Sequence, residues 1–308
     1  MGSSHINKID MKNTIIVGIP AHNEEKAVKK TIQALLSQKI EEIALNQIIV
    51  YSDGSTDQTN NTVKKIINKK VSLIATNTRK GKTHAIKQLL NAANEQGSEF
   101  LIIVDADLTI DSDTIIKRLY KKITADKNLI AVSGYRKPLQ PKNLIQKIGY
   151  FGYFVWNYIV DRSGKRQSYF RSSDSLIILR VNEYPQEKIN HFSYMHDEFY
   201  YLYAKKYKKH FNFDANIFAY YTLPATLRDY INQMTRYVSR HFTKREQQLL
   251  GTGYSVSIKE RMKALAACMK GNYRIALLYF LLQSYIQIKS HFLETAFNDT
   301  WIQILSTK

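Results

Sequence analysis

Short runs of β-branched residues alternate with stretches of helical periodicity through the first 134 residues. The apolar runs predict strands at Thr14–Ile19, Gln47–Tyr51, Val71–Ala75, Phe100–Val104 and Leu129–Ser133. Between them the spacing predicts amphipathic helices over Glu24–Ser37, Thr56–Asn68, Lys82–Asn94 and Ser112–Ile123. In the first of these Val28, Ile32, Leu35 and Leu36 face inward, and in the last Ile115, Ile116 and Leu119 do. This alternation implies βαβ units and a Rossmann-like, largely parallel sheet flanked by helices, in which ligands bind at the carboxyl ends of the strands.

The second half is less regular. Leu144–Val160 reads as an aromatic-rich helix, Ser175–Arg180 as a strand, Asp197–Lys209 as a helix and Phe218–Thr222 as a strand. Thr226–Leu249 reads as a long helix capped by its threonine, and helices at Ile258–Met269 and Tyr273–Ile288 form a C-terminal helical extension. The expected organisation is an N-terminal segment 1–11, tag-like and disordered, a catalytic domain 12–250 divided near residue 134, and a helical subdomain 251–308.

The 308 residues are 44% hydrophobic and 23% charged, too apolar for wholesale disorder. Ile275–Ile288 is too short and too polar for a membrane span, which needs about 20 apolar residues, and suits a core or interfacial helix. One cysteine, Cys268, excludes an intramolecular disulfide framework and a Cys-built zinc site, so a reducing, cytoplasmic setting is expected. The net charge of +19 divides into +5 for residues 1–134 and +14 for 135–308, and of the 21 tyrosines only Tyr51 and Tyr120 precede Tyr135. With the run Lys205–Lys209, this basic second half implies a polyanionic partner, such as an anionic membrane surface approached peripherally from the cytoplasmic side.

Chemistry gathers after the strands. Pro20-Ala21-His22-Asn23-Glu24 follows the first, and Ser52-Asp53-Gly54-Ser55-Thr56-Asp57 follows the second. There Asp53 supplies acceptors for a nucleoside, Gly54 a tight turn, and Ser55 or Thr56 a helix cap. Arg79-Lys80-Gly81-Lys82 faces phosphates at a helix start. Asp105-Ala106-Asp107 places two carboxylates one residue apart after an apolar strand, a costly arrangement unless a counter-charge such as a hard divalent cation is present. Asp111 and Asp113 are expected to cap the next helix.

In this order the motifs resemble family 2 glycosyltransferases of GT-A fold, whose nucleotide-sugar site combines P-x-x-N-E, D-G-S-T-D, G-K-x-x-A-L and D-x-D segments. The resemblance spans roughly residues 12–250. It implies an inverting transferase in which Asp105 and Asp107 hold Mg²⁺ or Mn²⁺ against the diphosphate of a nucleotide-sugar, a UDP-sugar favoured. Pro20, Ala21, Asn23, Glu24, Asp53 and Lys82 seat the donor in that reading. Asp197, in Met195-His196-Asp197-Glu198, takes the catalytic-base position, with His196 where the family has an acid. Gln233-Met234-Thr235-Arg236-Tyr237 resembles the Q-x-x-R-W motif of polymer-forming members, which places Gln233 and Arg236 at the sugar and diphosphate. Arg171–Ser175 falls where the family builds an acceptor-facing loop.

The implied partners are the donor and a glycan, lipid-linked or other hydroxyl acceptor, in cell-surface glycan or glycolipid synthesis. A sugar-nucleotide-forming nucleotidyltransferase shares the general fold, but the G-x-G-T-R-like loop it needs is absent from Ile19–Asn23. A non-catalytic sugar- or polyanion-binding protein remains a second alternative. No recognised nucleic-acid module accompanies the charge, so nucleic acid is not an expected partner.

Overall fold

The computed structural model describes residues 14–41, 43–162, 171–190, 197–238 and 256–292. Seven strands form one sheet: β1 (Thr14–Ala21), β2 (Ala44–Asp53), β3 (Val71–Thr76), β4 (Phe100–Val104), β5 (Leu129–Pro138), β6 (Leu176–Arg180) and β7 (His210–Tyr221), in the order β3-β2-β1-β4-β6-β5-β7. All neighbouring pairs are parallel except those of β6, which runs antiparallel to both β4 and β5. The helices are α1 (Val28–Leu36), α2 (Thr59–Lys64), α3 (Lys82–Glu95), α4 (Ile115–Thr124), α5 (Leu144–Arg162), α6 (Gln186–Ile189), α7 (Phe199–Lys206), α8 (Leu227–Val238), α9 (Ile258–Cys268) and α10 (Tyr273–Phe292).

Strand alternation distributes the core over both faces of the sheet. Ile15, Val17 and Ile19 of β1 pack with Val28, Ile32 and Leu35 of α1 and with Leu119 and Ile123 of α4. Ile16, on the opposite face, joins Ile86 and Leu89 of α3 and Tyr200 and Tyr203 of α7. Each fully buried aliphatic side chain of this kind stabilises by roughly 1.5–3 kcal/mol relative to exposure. Such two-sided burial explains why the central strands are apolar at consecutive positions rather than at alternate ones. A further helical layer rests on α5: Phe151, Val155 and Ile159 pack against Ala264 of α9 and Ala276 of α10, while Ile148 meets Tyr230 of α8 and Ile286 of α10. A side chain at Gly152 would lie 2.7 Å from the ring of Tyr279, so this glycine sets the approach of α10 to α5.

Several element boundaries differ from the periodicity, each for an identifiable reason. α1 begins at Val28 rather than Glu24, because the Glu24 and Glu25 N–H groups donate to Thr59 Oγ1 and Asp57 Oδ2 across the neighbouring loop. α2 is confined to Thr59–Lys64; neither Ser55 nor Thr56 caps it, and Asp57 Oδ1 accepts from Thr59 N. α4 starts after Thr114 without a side-chain cap, while Asp113 pairs with Lys39 at 2.7 Å. β7 reaches back to His210, since it continues parallel to β5 through two register shifts, the second of which passes over residues 214–217. Thr226 does cap α8, its Oγ1 accepting from Asp229 N. The part of that predicted helix beyond residue 238 lies outside the described residues, as does His196.

Candidate active site

The carboxyl ends of β1, β2, β4 and β5 converge on a cavity of about 1080 Å³. The loop after β1 is tied to the loop after β2. Asn23, at φ 54°, accepts at Oδ1 from the N–H groups of Thr56 and Asp57 and donates its own N–H to Ser55 Oγ. Its side chain is thus spent on the second loop. Pro20, Ala21, His22 and Glu24 line the cavity, and Asn23 holds the two loops that carry them together.

Asp53 lines the cavity while holding the start of α3. Its two carboxylate oxygens accept from the N–H groups of Lys80 and Gly81 at 2.8 and 2.7 Å. Gly54, at φ 62°, makes that closure possible: a Cβ there would lie 2.6 Å from Arg79 N.

Lys82, the first residue of α3, does not point to open space. Its Nζ lies 2.6 Å from Asp105 Oδ1 and 3.0 Å from Asp174 Oδ1. Burial alone would lower its pKa, but Asp105 and Asp174 outweigh that and raise it, so the ammonium is permanent. Because β6 is antiparallel, its first residues sit beside the carboxyl end of β4, with Val104 opposite Leu176. Asp105 N accordingly donates to Ser175 O, and Asp174 enters the site. Burial pushes the Asp174 carboxyl up to about 7; Lys82 opposes the shift, and Asp197 and Asp105 add to it. Asp107 is also raised, first by burial and then by the charge of Asp105.

Asp197 stands in the turn before α7. Its Oδ1 accepts from Asp174 N at 3.1 Å, and its Oδ2 lies 3.9 Å from a guanidinium nitrogen of Arg136 on β5. Burial opposes the charge on Arg136, but Asp197, Tyr237, Asp105 and Asp174 together more than compensate and keep it cationic. Gln233 of α8 lines the cavity, with Tyr221 and Tyr237 nearby. Arg236 lies on α8, but its side chain is outside the described residues.

Residues 16–183 match the family model described as glycosyl transferase family 2. The chain belongs to that family. The match ends before Asp197 and Gln233. The fold is that of known GT-A enzymes. A mannosyltransferase from Pyrobaculum calidifontis, solved with GDP-Man and Mn²⁺, superposes with a TM-score of 0.54 at 14% identity, covering 89% of this chain and 80% of the other. Glucosyl-3-phosphoglycerate synthase from Mycobacterium tuberculosis, solved with Mn²⁺, UDP-Glc and phosphoglyceric acid, gives 0.52 at 13% identity, over 74% and 78%. No curated protein sequence matches the chain.

The donor set suits a hard divalent ion. Asp107 and Asp105 offer carboxylate oxygens close enough to raise the pKa of Asp107, and Mg²⁺-like ions take one or two carboxylates with substrate phosphates and water as remaining ligands. Among the described residues no group of three or more His, Cys, Asp or Glu side chains is placed to hold a metal ion by itself.

Two charged residues of the site escape a reading by motif. Arg136 lies near the carboxyl end of β5 in Tyr-Arg-Lys, where the signal is only a basic residue near a strand's end. Asp174 belongs to the Arg171–Ser175 segment, and its place beside Lys82 depends on the direction of β6.

Proposed function

We propose that the protein transfers a hexosyl or N-acetylhexosaminyl group, with inversion, from a nucleotide-diphosphate sugar to an acceptor hydroxyl in cell-surface glycan or glycolipid synthesis. The observation that carries this reading is the convergence of Asp105, Asp107, Asp174, Asp197, Lys82 and Arg136 on one cavity at the sheet's carboxyl edge. Pro20, Ala21, Glu24 and Asp53 seat the nucleoside, with Asn23 holding their two loops together. Asp107, assisted by Asp105, would hold Mg²⁺ or Mn²⁺, and such an ion would neutralise charge on the donor diphosphate.

Asp197 accepts the proton of the acceptor hydroxyl as its oxygen attacks the anomeric carbon. The bond from that carbon to the diphosphate oxygen breaks on the opposite face, and the nucleoside diphosphate leaves with the bonding pair. Asp174 N–H fixes the orientation of the Asp197 carboxylate, and Arg136 sets a cationic partner 3.9 Å from it. Gln233 and Arg236 are assigned to the sugar and the leaving diphosphate.

Donor turnover tests this. With UDP- and GDP-sugars and Mn²⁺, slow release of nucleoside diphosphate is expected from the wild type, and none above background from Asp107→Ala. Asp197→Asn is expected to bind donor normally while losing about 10²–10⁴-fold in transfer. Near-normal transfer by Asp197→Asn removes it from the base role.

A further inference from the structure

The cavity does not end at the donor. Beyond Arg136 and Asp197 it continues between α5, α8, α9 and α10, where Val155, Ile159, Met234, Met262, Leu265 and Phe280 line it. Met262 and Phe280, which line this apolar end, are half exposed, at 50% and 44%, so solvent reaches it from the protein surface. The surface itself is apolar. Apart from Ile67 and Ile74, every exposed large apolar side chain among the described residues lies on these four helices or in the turn after α9.

α10 carries apolar side chains on two sides. Ala276 and Ile286 are buried against α5 and α8, while Tyr273, Leu277, Leu281, Tyr285 and Ile288 make an exposed stripe at helical spacing along the other side. Residues 256–292 also carry six basic side chains against one acid, Glu260. Five of the six, Lys259, Arg261, Lys263, Lys270 and Arg274, are exposed, and Glu260 is engaged in a capping box with Ser257. An apolar stripe flanked by exposed cations complements an anionic bilayer surface. No described helix is long and apolar enough to cross the bilayer, which leaves α10 lying along it.

We infer that the acceptor is an amphiphile: its hydroxyl-bearing head reaches Asp197, and its hydrocarbon chain occupies the α5–α8–α9–α10 chamber. It enters from an anionic membrane on which the outer face of α9 and α10 rests. The head-group end of this inference rests on the transfer reading above, and the membrane and chain ends do not.

Flotation of the full chain with phosphatidylcholine vesicles, with and without phosphatidylglycerol, tests the surface. Strong flotation is expected only with the anionic vesicles, falling by at least about tenfold in Leu277→Glu/Leu281→Glu and by a similar factor in Lys259→Glu/Lys263→Glu. Calorimetry tests the chamber: dodecyl β-glucoside, below its micelle concentration, should bind at least about tenfold more tightly than methyl β-glucoside. Leu265→Trp should erase that difference. Absent or charge-independent flotation overturns the inference, as does equal binding of the two glucosides. So does a Leu277→Glu/Leu281→Glu variant that turns a dimer into a monomer while vesicle binding persists. Binding of UDP- and GDP-sugars to the wild type, measured on the same samples, separates the two readings: its loss overturns the transfer reading alone.

Discussion

Asp174 can be neutralised with almost no change of shape by Asp174→Asn, which isolates the electrostatics of the buried cluster. The carboxyl is 7% exposed, and burial with the nearby carboxylates raises it from an ordinary 3.8 to about 7 in the folded protein. Between those values the folded chain keeps the proton and the unfolded chain releases it. Stability is therefore lost as pH rises through this window and is flat on either side. Three units correspond to about 4 kcal/mol at 1.36 kcal/mol each, or roughly 10 °C in melting temperature for a chain of this size. The asparagine variant lacks this contribution. Guanidinium melts of both proteins, in EDTA from about pH 4.5 to 8.5, should show the stability difference shifting by about that amount against the wild type. Taking the difference cancels every other titrating group that the mutation leaves unperturbed. A difference that stays constant across the window refutes the buried, proton-holding Asp174.

Three other substitutions probe the rest of the site. Gly54→Ala should destabilise by about 1–3 kcal/mol in thermal melts, because the position combines φ 62° with a 2.6 Å approach to Arg79 N. A neutral result would show that the loop relaxes freely. Asn23→Ala removes the acceptor for two backbone N–H groups and should raise KM for the donor while costing about 1–2 kcal/mol of stability; an unchanged KM would separate the loop clip from donor binding. Arg136→Met should lower kcat by about 10²-fold as Asp197 loses its cationic neighbour. A change confined to KM would limit Arg136 to binding.

The strands and their loops were legible because their signals are local. Phe100–Val104 is apolar throughout and buried throughout, and the predicted strand coincides with β4. Helix starts were less legible, since Glu24, Glu25 and Thr56 direct their backbone N–H groups to side chains on another loop, a competition that no periodicity records. Strand direction was illegible for a different reason: Leu176–Arg180 reads as an apolar strand in either orientation. Only its antiparallel placement brings Asp174 to the end of β4, where Lys82 bridges two carboxylates.

That reversal also alters the charge the site presents to a donor. Asp105, Asp107, Asp174 and Asp197 face Lys82 and Arg136, so full ionisation leaves two uncompensated negative charges. A diphosphate would add to this excess, and its approach requires either a divalent cation at Asp107 or retention of protons on the cluster. The raised values of Asp174 and Asp107 are the second solution, adopted by the protein alone. Cation binding should then release protons near neutral pH, so donor affinity at fixed Mn²⁺ should strengthen as pH rises through about 7 and level off above it. Titrating a nucleotide-sugar at several pH values in two buffers of different ionisation enthalpy reads both the affinity and the proton release. A pH-independent affinity with no proton release would mean that the cation binds away from this cluster.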